Sequence, residues 1–341
     1  MKTAVVILNW NTRTFLEKFL PALIESIEGQ DAELVVADNA STDGSVELLQ
    51  SRFKASVRTM VFDKNYGFTG GYNRALSQIE SQYYVLINSD VEVPEGWLQP
   101  LIRHLEENPG CAACGPKIHS RAERDMFEYA GAAGGYIDFF GYPFCRGRVL
   151  GRVEKDFGQY DSPAKVMWVS GACLAVRSDV WHRLGGLDER FFAHMEEIDY
   201  CWRAQLQGYS IDVVPESVVY HVGGGTLAND SPLKLKLNYR NNLLMLGNNL
   251  RSTIGRRRAA LRIFLRMCLD LLSALVYLLR GRGSYFMAVM KAHREFLQLR
   301  SGREWRIRPV STINGFWRGF ILPAAFIYGD RVFEYIRKRR I

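Results

Sequence analysis

The stretch "VLINSDVEV", residues 85–93, runs from an apolar strand segment into Asn88, Ser89, Asp90 and Glu92. Such side chains favour turns, yet carboxylates and amides at the end of a buried strand also suit a cation or a phosphate. Asp90 is a hard oxygen donor of the kind that holds Mg2+ or Mn2+ together with substrate phosphates. His221 closes a strand-like run and precedes three glycines, where it would add a nitrogen ligand if the metal is Mn2+. "EEIDYCWR" sets Glu196, Glu197 and Asp199 within one helical turn, with Glu196 and Asp199 on one face. Phe191, Phe192, Met195, Tyr200 and Trp202 surround them, which argues for a partly covered site over a solvated helix start. Asp38 follows the apolar run Leu34–Ala37, where doubly wound sheets place the carboxylate that recognises a ribose or base. "GFTGG" at 67–71, with Gly70 and Gly71, supplies flexible backbone for close approach to a ligand. It is a poor match to the dinucleotide fingerprint, so a mononucleotide diphosphate held by a divalent cation is the better reading.

The elements that must position these residues follow from the periodicity. Ala4–Leu8, Leu34–Ala37, Val57–Phe62 and Tyr83–Ile87 read as short strands. Helical spacing follows each, first in "TRTFLEKFLPALIESI" with Thr14 and Glu17 placed as a capping box, then from Gly44, over Tyr72–Ile79 and over Trp97–Glu107. Alternation of this kind predicts a mostly parallel, doubly wound α/β sheet, with ligands beyond the carboxyl ends of the strands. Three strand ends, at Asn9-Trp10-Asn11, Asp38-Asn39 and Asn88-Ser89-Asp90, then deliver polar side chains to one edge. Residues 120–165 read as a long Gly- and aromatic-rich loop region over that edge. Further on, "VMWVSGACLAVRS" reads as a strand, a short helix opens at Ser178, and "SIDVVPESVVYHVGGGT" gives a strand broken at Pro215.

With these motifs in order, the chain resembles the inverting glycosyltransferases of family 2, with the GT-A fold, and within them the rhamnosyltransferase-like branch. The resemblance covers residues 3–226 and rests on "VVILNWN", "VVADNASTDGS", "NYGFTGGYN", "INSDVEV", "FFAHMEEIDYCWR" and "HVGGGT". It implies that Asn9, Asn11, Asp38 and Asn39 contact the nucleotide and that Asn73 lies close to the donor, with Gly70, Gly71, Asn88 and Ser89 in the same region. "NSD" stands where the family carries its Asp-x-Asp motif, so Asp90 would bind the metal with His221, and Asn88 replaces the first carboxylate. "EE" stands where Glu-Asp is common, so Glu197 occupies the catalytic-base position, with Glu196 or Asp199 as alternatives. A divalent cation offsets the charge of a departing nucleoside diphosphate, and a carboxylate in its basic form takes the acceptor's proton.

The rest of the sequence bounds partners and location. The chain has 341 residues and net charge +8. Residues 240–341 hold 21 Lys and Arg against 5 Asp and Glu, a balance of +16, and the rest of the chain carries −8. The organisation expected is a catalytic domain over 1–236 and a basic, amphipathic helical region over 237–341. In "AALRIFLRMCLDLLSALVYLLR" (259–280), Arg262, Arg266, Asp270, Ser273, Tyr277 and Arg280 trace one narrow polar stripe, and the longest uncharged run, Leu271–Leu279, is too short to span a bilayer. With basic flanks, that pattern suits a helix lying in an anionic membrane surface; internal packing or a homodimer through the C-terminal helices is the alternative. Nucleic acid is not expected, because the basic residues alternate with long apolar runs. "MKTAVVILNW" reads as a strand and not as a secretory leader, and six scattered cysteines suit a reducing compartment. Cys111 and Cys114 form a CxxC without the second pair that zinc would want. The expectation is therefore an enzyme at the cytoplasmic face of the cell membrane, moving a sugar from a nucleotide-sugar to a lipid-linked saccharide in cell-surface polysaccharide synthesis. Two rival readings are a nucleotidyltransferase, which should carry a Gly-rich basic loop where strand one runs into "NWNTRTF", and a non-catalytic nucleotide-sugar binder.

Overall fold

The protein is described by a computed structural model covering residues 1–223, 231–300 and 310–339, so Gly224, Gly225 and Thr226 of the "HVGGGT" motif lie outside the described residues. The N-terminal half alternates β1 (Thr3–Asn9), α1 (Arg13–Ile27), β2 (Ala32–Asp38), α2 (Ser45–Arg52), β3 (Arg58–Val61), α3 (Gly67–Leu76), β4 (Tyr83–Ile87), β5 (Val91–Glu92), α4 (Leu98–Glu107) and β6 (Cys111–Ser120). After four short strands, β7 (Gly135–Ile137), β8 (Pro143–Cys145), β9 (Arg148–Val149) and β10 (Arg152–Val153), come β11 (Ala164–Lys165), β12 (Cys173–Arg177), α5 (Ser178–Leu184), α6 (Glu196–Leu206) and β13 (Ser210–His221). Helices α7 (Pro232–Ile254), α8 (Arg256–Leu279), α9 (Gly283–Leu299), α10 (Ile321–Tyr328) and α11 (Val332–Lys338) complete the chain.

The main sheet has the order β11-β13-β6-β12-β4-β1-β2-β3, with β5 paired to β13. β1 runs parallel to β2 and β4, and β13 parallel to β6, while β12 lies antiparallel between β4 and β6. The sheet is therefore mixed but mostly parallel, a GT-A-type arrangement followed by a helical C-terminal region. Side chains alternate across it as the strand period demands. Val5, Ile7, Val85 and Ile87 pack with Leu16 and Leu20 of α1 and Leu101 and Leu105 of α4 on one face. Ala4, Val6, Tyr84 and Leu86 pack with Tyr72 and Leu76 of α3 on the other. That second layer continues without a break into Leu243, Leu246, Phe316, Trp317 and Phe333. The C-terminal helices thus share the catalytic core, and the division expected at residues 236/237 falls inside the continuous helix α7.

Several local expectations are corrected. Residues 120–165 are no loose loop: β7–β10 form a second, antiparallel sheet. Its strands of two or three residues are too short to show alternation, and Gly135 is required there because a Cβ would lie 1.9 Å from the Trp168 ring. Pro215 does not break β13; it sits within a register shift between Val213 and Val218, so the strand bulges and continues. In "VMWVSGACLAVRS" only Cys173–Arg177 is strand. Thr14 caps nothing, because α1 is already helical at Arg13. Thr12 precedes the helix and directs its hydroxyl to Asn9 Oδ1 and, at 2.8 Å, to Ser89 Oγ.

Candidate active site

The parallel strands deliver their carboxyl ends to one edge, and the polar residues there form a connected network. Asn9 Nδ2 donates to Asp38 Oδ2 at 2.7 Å and to Ser41 Oγ at 3.0 Å, and Ser41 N donates to Asp38 Oδ1 at 2.8 Å. Through Thr12 the network reaches Ser89, joining the ends of β1, β2 and β4. Asn11 has φ 53° and accepts from Thr42 N at 2.7 Å, which shapes the β1–α1 turn. Asn88 is half-buried, and its side chain makes no hydrogen bond among the described residues, which leaves its amide available to a ligand.

Other expected donor residues are drawn elsewhere. Asn39 gives its amide to Asn65 and the Gly67 carbonyl and accepts from Tyr66 N, so it pins the start of α3. Asn73 pairs its amide with both backbone groups of Leu187, at 2.8 and 2.9 Å, and so holds the segment leading to α6. "GFTGG" is not a flexible loop, since it forms the first turn and a half of α3. A Cβ on Gly71 would lie 2.6 Å from the Leu8 side chain, so this glycine permits helix-on-strand packing.

Asp90 and His221 come together because β5 pairs with the end of β13, setting His221 opposite Val91. Both side chains are buried, and His221 Nε2 lies 3.2 Å from Asp90 Oδ1. Cis ligands of an octahedral ion with bonds near 2.1 Å are about 3.0 Å apart, so this oxygen–nitrogen pair fits a divalent cation. His221 Nδ1 faces Glu128 Oε2 at 3.2 Å, outside hydrogen-bond alignment. Burial alone would lower the imidazole pKa, but the two carboxylates prevail and push it up to about 10, so a cation bound at Nε2 must displace its proton.

The acidic turn separates into distinct roles. Asp199 is fully buried, pairs with Arg203 Nε at 2.7 Å and accepts from Asn248 and Asn249 of α7 at 2.9 and 2.8 Å. It holds α6 to α7, with both carboxylate oxygens engaged by these partners. Glu196 is buried with one carboxylate oxygen unpartnered among the described residues, and burial, reinforced by the Glu197 charge, raises its pKa well above the usual range. Glu197 is less buried, also has an unpartnered oxygen, and is pushed by burial up to about 7. A Cβ on Gly171 would lie 3.8 Å from that of Glu197, and the next residue, Ala172, accepts from Asn88 N at 3.0 Å. Glu197 thus sits beside the "NSD" segment. The approach to α6 is bent through Phe192, His194 and Met195, all at positive φ, a conformation that costs about 1–3 kcal/mol per residue. Asn241 of α7 holds it there, with Nδ2 2.9, 2.7 and 2.8 Å from the carbonyls of Phe191, Ala193 and His194.

The family profile described as Glycosyl transferase family 2 matches residues 4–155, and the one described as Glycosyl transferase family group 2 matches residues 84–297. The chain belongs to glycosyltransferase family 2. It is 27% identical over 290 residues to the N-acetylglucosaminyl-diphospho-decaprenol L-rhamnosyltransferase of Mycobacterium tuberculosis, covering 80% of this chain and 92% of that one. Among solved structures, the mannosyltransferase PcManGT of Pyrobaculum calidifontis, in complex with GDP-Man and Mn2+, superposes with a TM-score of 0.55 at 14% identity over 87% of each chain. GalNAc-T7 with UDP, GalNAc and Mn2+ gives 0.57 at 16% identity, over 73% of this chain and 48% of that one. At such identities these likenesses establish the GT-A fold.

Two residues of this family 2 glycosyltransferase were not legible as site residues. Glu128 lies in the aperiodic stretch after β6, and only the fold brings it to His221. His194 has Nε2 buried and unpartnered among the described residues, and burial, reinforced by the Lys234 charge, pushes its pKa down to about 4, so it stands neutral. The "FFAHMEE" spacing was its only signal.

Proposed function

We propose that this glycosyltransferase moves a hexose, with L-rhamnose the leading candidate, from a nucleotide-sugar to a lipid-linked saccharide with inversion, in cell-surface polysaccharide synthesis. The observation that carries the reading is the placement of Glu197, with a pKa near neutrality, beside the Asn88-Ser89-Asp90 segment, where Asp90 meets His221 from the end of β13. Glu197 takes the proton of the acceptor hydroxyl as that oxygen attacks, and Glu196 stays protonated beside it. The polar network of Asn9, Asp38 and Ser41 orients the nucleotide. Asp90 and His221 would hold the divalent cation, which when bound offsets the charge developing on the diphosphate. The relative's name specifies a diphospho-lipid acceptor and L-rhamnose, which supports the substrate class. Asp90→Ala should abolish transfer and weaken nucleoside diphosphate binding in calorimetry only when Mn2+ or Mg2+ is present. Turnover at the wild-type rate would overturn the metal assignment.

The reading places the enzyme at the inner face of the cell membrane, and α8 supports this in an unexpected way. From Arg262 to Tyr277 its polar stripe faces the protein: Arg266 pairs with Asp270 at 2.9 Å, Arg262 lies over the Phe139 ring, and Ser273 meets Tyr239. The opposite face exposes Leu261, Phe264, Leu272, Leu275 and Leu279, with Arg256, Arg257, Arg258, Arg280 and Arg282 exposed at the helix ends. No described helix is long and apolar enough to cross a membrane. Each basic residue near an anionic surface contributes about 1 kcal/mol, and apolar burial adds roughly 25 cal/mol per Å2. The full chain should sediment with anionic vesicles at low salt, and the double variant Leu272→Glu/Leu275→Glu should stay in the supernatant. Vesicle binding unaffected by that variant, or a wild-type dimer that it splits without any vesicle binding, would overturn the membrane reading.

A further inference from the structure

We propose that His104, Cys111 and Asp212 form a second cation site, suited to zinc or a similarly thiophilic divalent ion, at the sheet edge opposite the donor site. Three elements converge there. His104 lies in the last turn of α4, Cys111 opens β6, and Asp212 lies near the start of β13, which runs parallel to β6. One ligand atom from each residue falls within 4.8 Å of the other two, and His104 Nε2 is 2.9 Å from Asp212 Oδ2. Asp212 is only 6% exposed, and its Oδ1 is buried without a hydrogen-bond partner among the described residues. Buried polar atoms of native folds are nearly always satisfied, and a cation held between these side chains would satisfy this one.

The donor set is an imidazole nitrogen, a sulfur and a carboxylate oxygen, the three ligand types that zinc accepts. A thiolate and a carboxylate together neutralise a dication, so the loaded site is uncharged before any water completes it. The Cys111 thiol now donates to the Ala113 carbonyl at 3.1 Å, and burial, reinforced by the Asp212 carboxylate beside it, pushes its pKa well up. Metal binding would therefore form the sulfur–metal bond and release the thiol proton to solvent. His104, with 18% of its side chain exposed, lies on the route in. The CxxC does not act as a unit, because Cys114 turns to the Leu101 carbonyl at 3.5 Å. Arg177 bonds to the carbonyls of Cys111 and Asn108, which engages its charge with the backbone at this corner. A bound ion would clamp α4 to β6 and β13, independently of the transfer reaction.

The test is a Co2+ titration of the full chain after chelation, in excess Mg2+, following the near-ultraviolet thiolate-to-cobalt band. Asp90 and His221 offer no thiolate, and the other free cysteines, Cys268 among them, keep any band that Cys111→Ser leaves, so the part that Cys111→Ser removes reports this corner. Wild type and Cys114→Ser should both saturate at one equivalent. Cys111→Ser should lose the one-equivalent band, with its Mg2+-supported transfer unchanged, and His104→Gln should bind at least tenfold more weakly. Natively folded wild type without a band, a band that Cys111→Ser leaves undiminished, or His104→Gln binding as tightly as wild type would overturn the proposal. The His104 arm decides the matter if Cys111→Ser fails to fold.

Discussion

Replacing Glu197 by glutamine should slow transfer and stabilise the fold, and both effects follow from where the carboxyl sits. Burial lifts its pKa from 4.5 to about 7. Each pKa unit is worth about 1.4 kcal/mol, so ionising Glu197 costs on the order of 3 kcal/mol more in the folded chain than in the unfolded one. The sign is set by proton counting. Between pH 4.5 and 7 the unfolded chain has released a proton that the folded chain still holds, so stability falls as pH rises through that window and then levels. Glutamine has no proton to lose, so Glu197→Gln should match wild type near pH 4.5 and exceed it by about 3 kcal/mol at pH 8. Glu196 adds to the gain at high pH, because removing its neighbour's charge lowers its own raised pKa and so reduces what its ionisation costs the folded chain. The amide cannot accept the acceptor's proton, which should lower kcat by ~10²–10⁴. Urea unfolding at pH 5 and pH 8, with transfer assays on the same samples, reads both effects, and wild-type kcat should rise through an acidic limb near pH 7. An equal stability difference at both pH values, or transfer by the variant within about tenfold of wild type, would refute the reasoning.

Two further outcomes concern Asp199 and Glu128. Asp199→Asn should destabilise the fold by about 3–5 kcal/mol by leaving Arg203 buried without its counter-charge, yet leave kcat per folded molecule within a few-fold of wild type. Measured by urea midpoint and by activity of the folded fraction, a fully stable but inactive Asp199→Asn would return Asp199 to the role of base. Glu128→Gln should weaken Mn2+ binding by about 10–100-fold, as loss of a carboxylate behind a ligating histidine does; calorimetry with Mn2+ alone checks this, and unchanged affinity would show that Glu128 does not orient His221.

The N-terminal half was readable because each strand and its following helix carry their own local period. Tyr83–Ile87 is five buried residues ending where the polar run begins, and the strand found there has those limits. The convergence of Asn9, Asp38 and Ser89 was also readable, since parallel strands must end on one edge. The choice among Glu196, Glu197 and Asp199 was not. Helix spacing shows that Asp199 and Arg203 stand one turn apart, but the asparagines that complete the Asp199 cage come from α7, 49 and 50 residues further on. Nothing local to "EEIDY" signals that second half.

The orientation of α8 shows a different limit. A narrow polar stripe on an apolar helix fixes that two faces exist, and leaves open which of them meets the protein. Here the stripe turns inward, a choice that is costly unless its charges cancel and its donors find acceptors. Arg266 and Asp270 stand at i, i+4 and cancel one another, Arg266 also reaches Asn242 and the Phe140 carbonyl, and Ser273 meets Tyr239. The clue in the sequence was therefore the self-neutralising Arg–Asp pair within the stripe, because a stripe meant for water or lipid headgroups has no need to cancel its own charge. Once that pair is buried, the leucines opposite must face outward, and the exposed arginines are left at the helix ends, where a bilayer's headgroups would meet them.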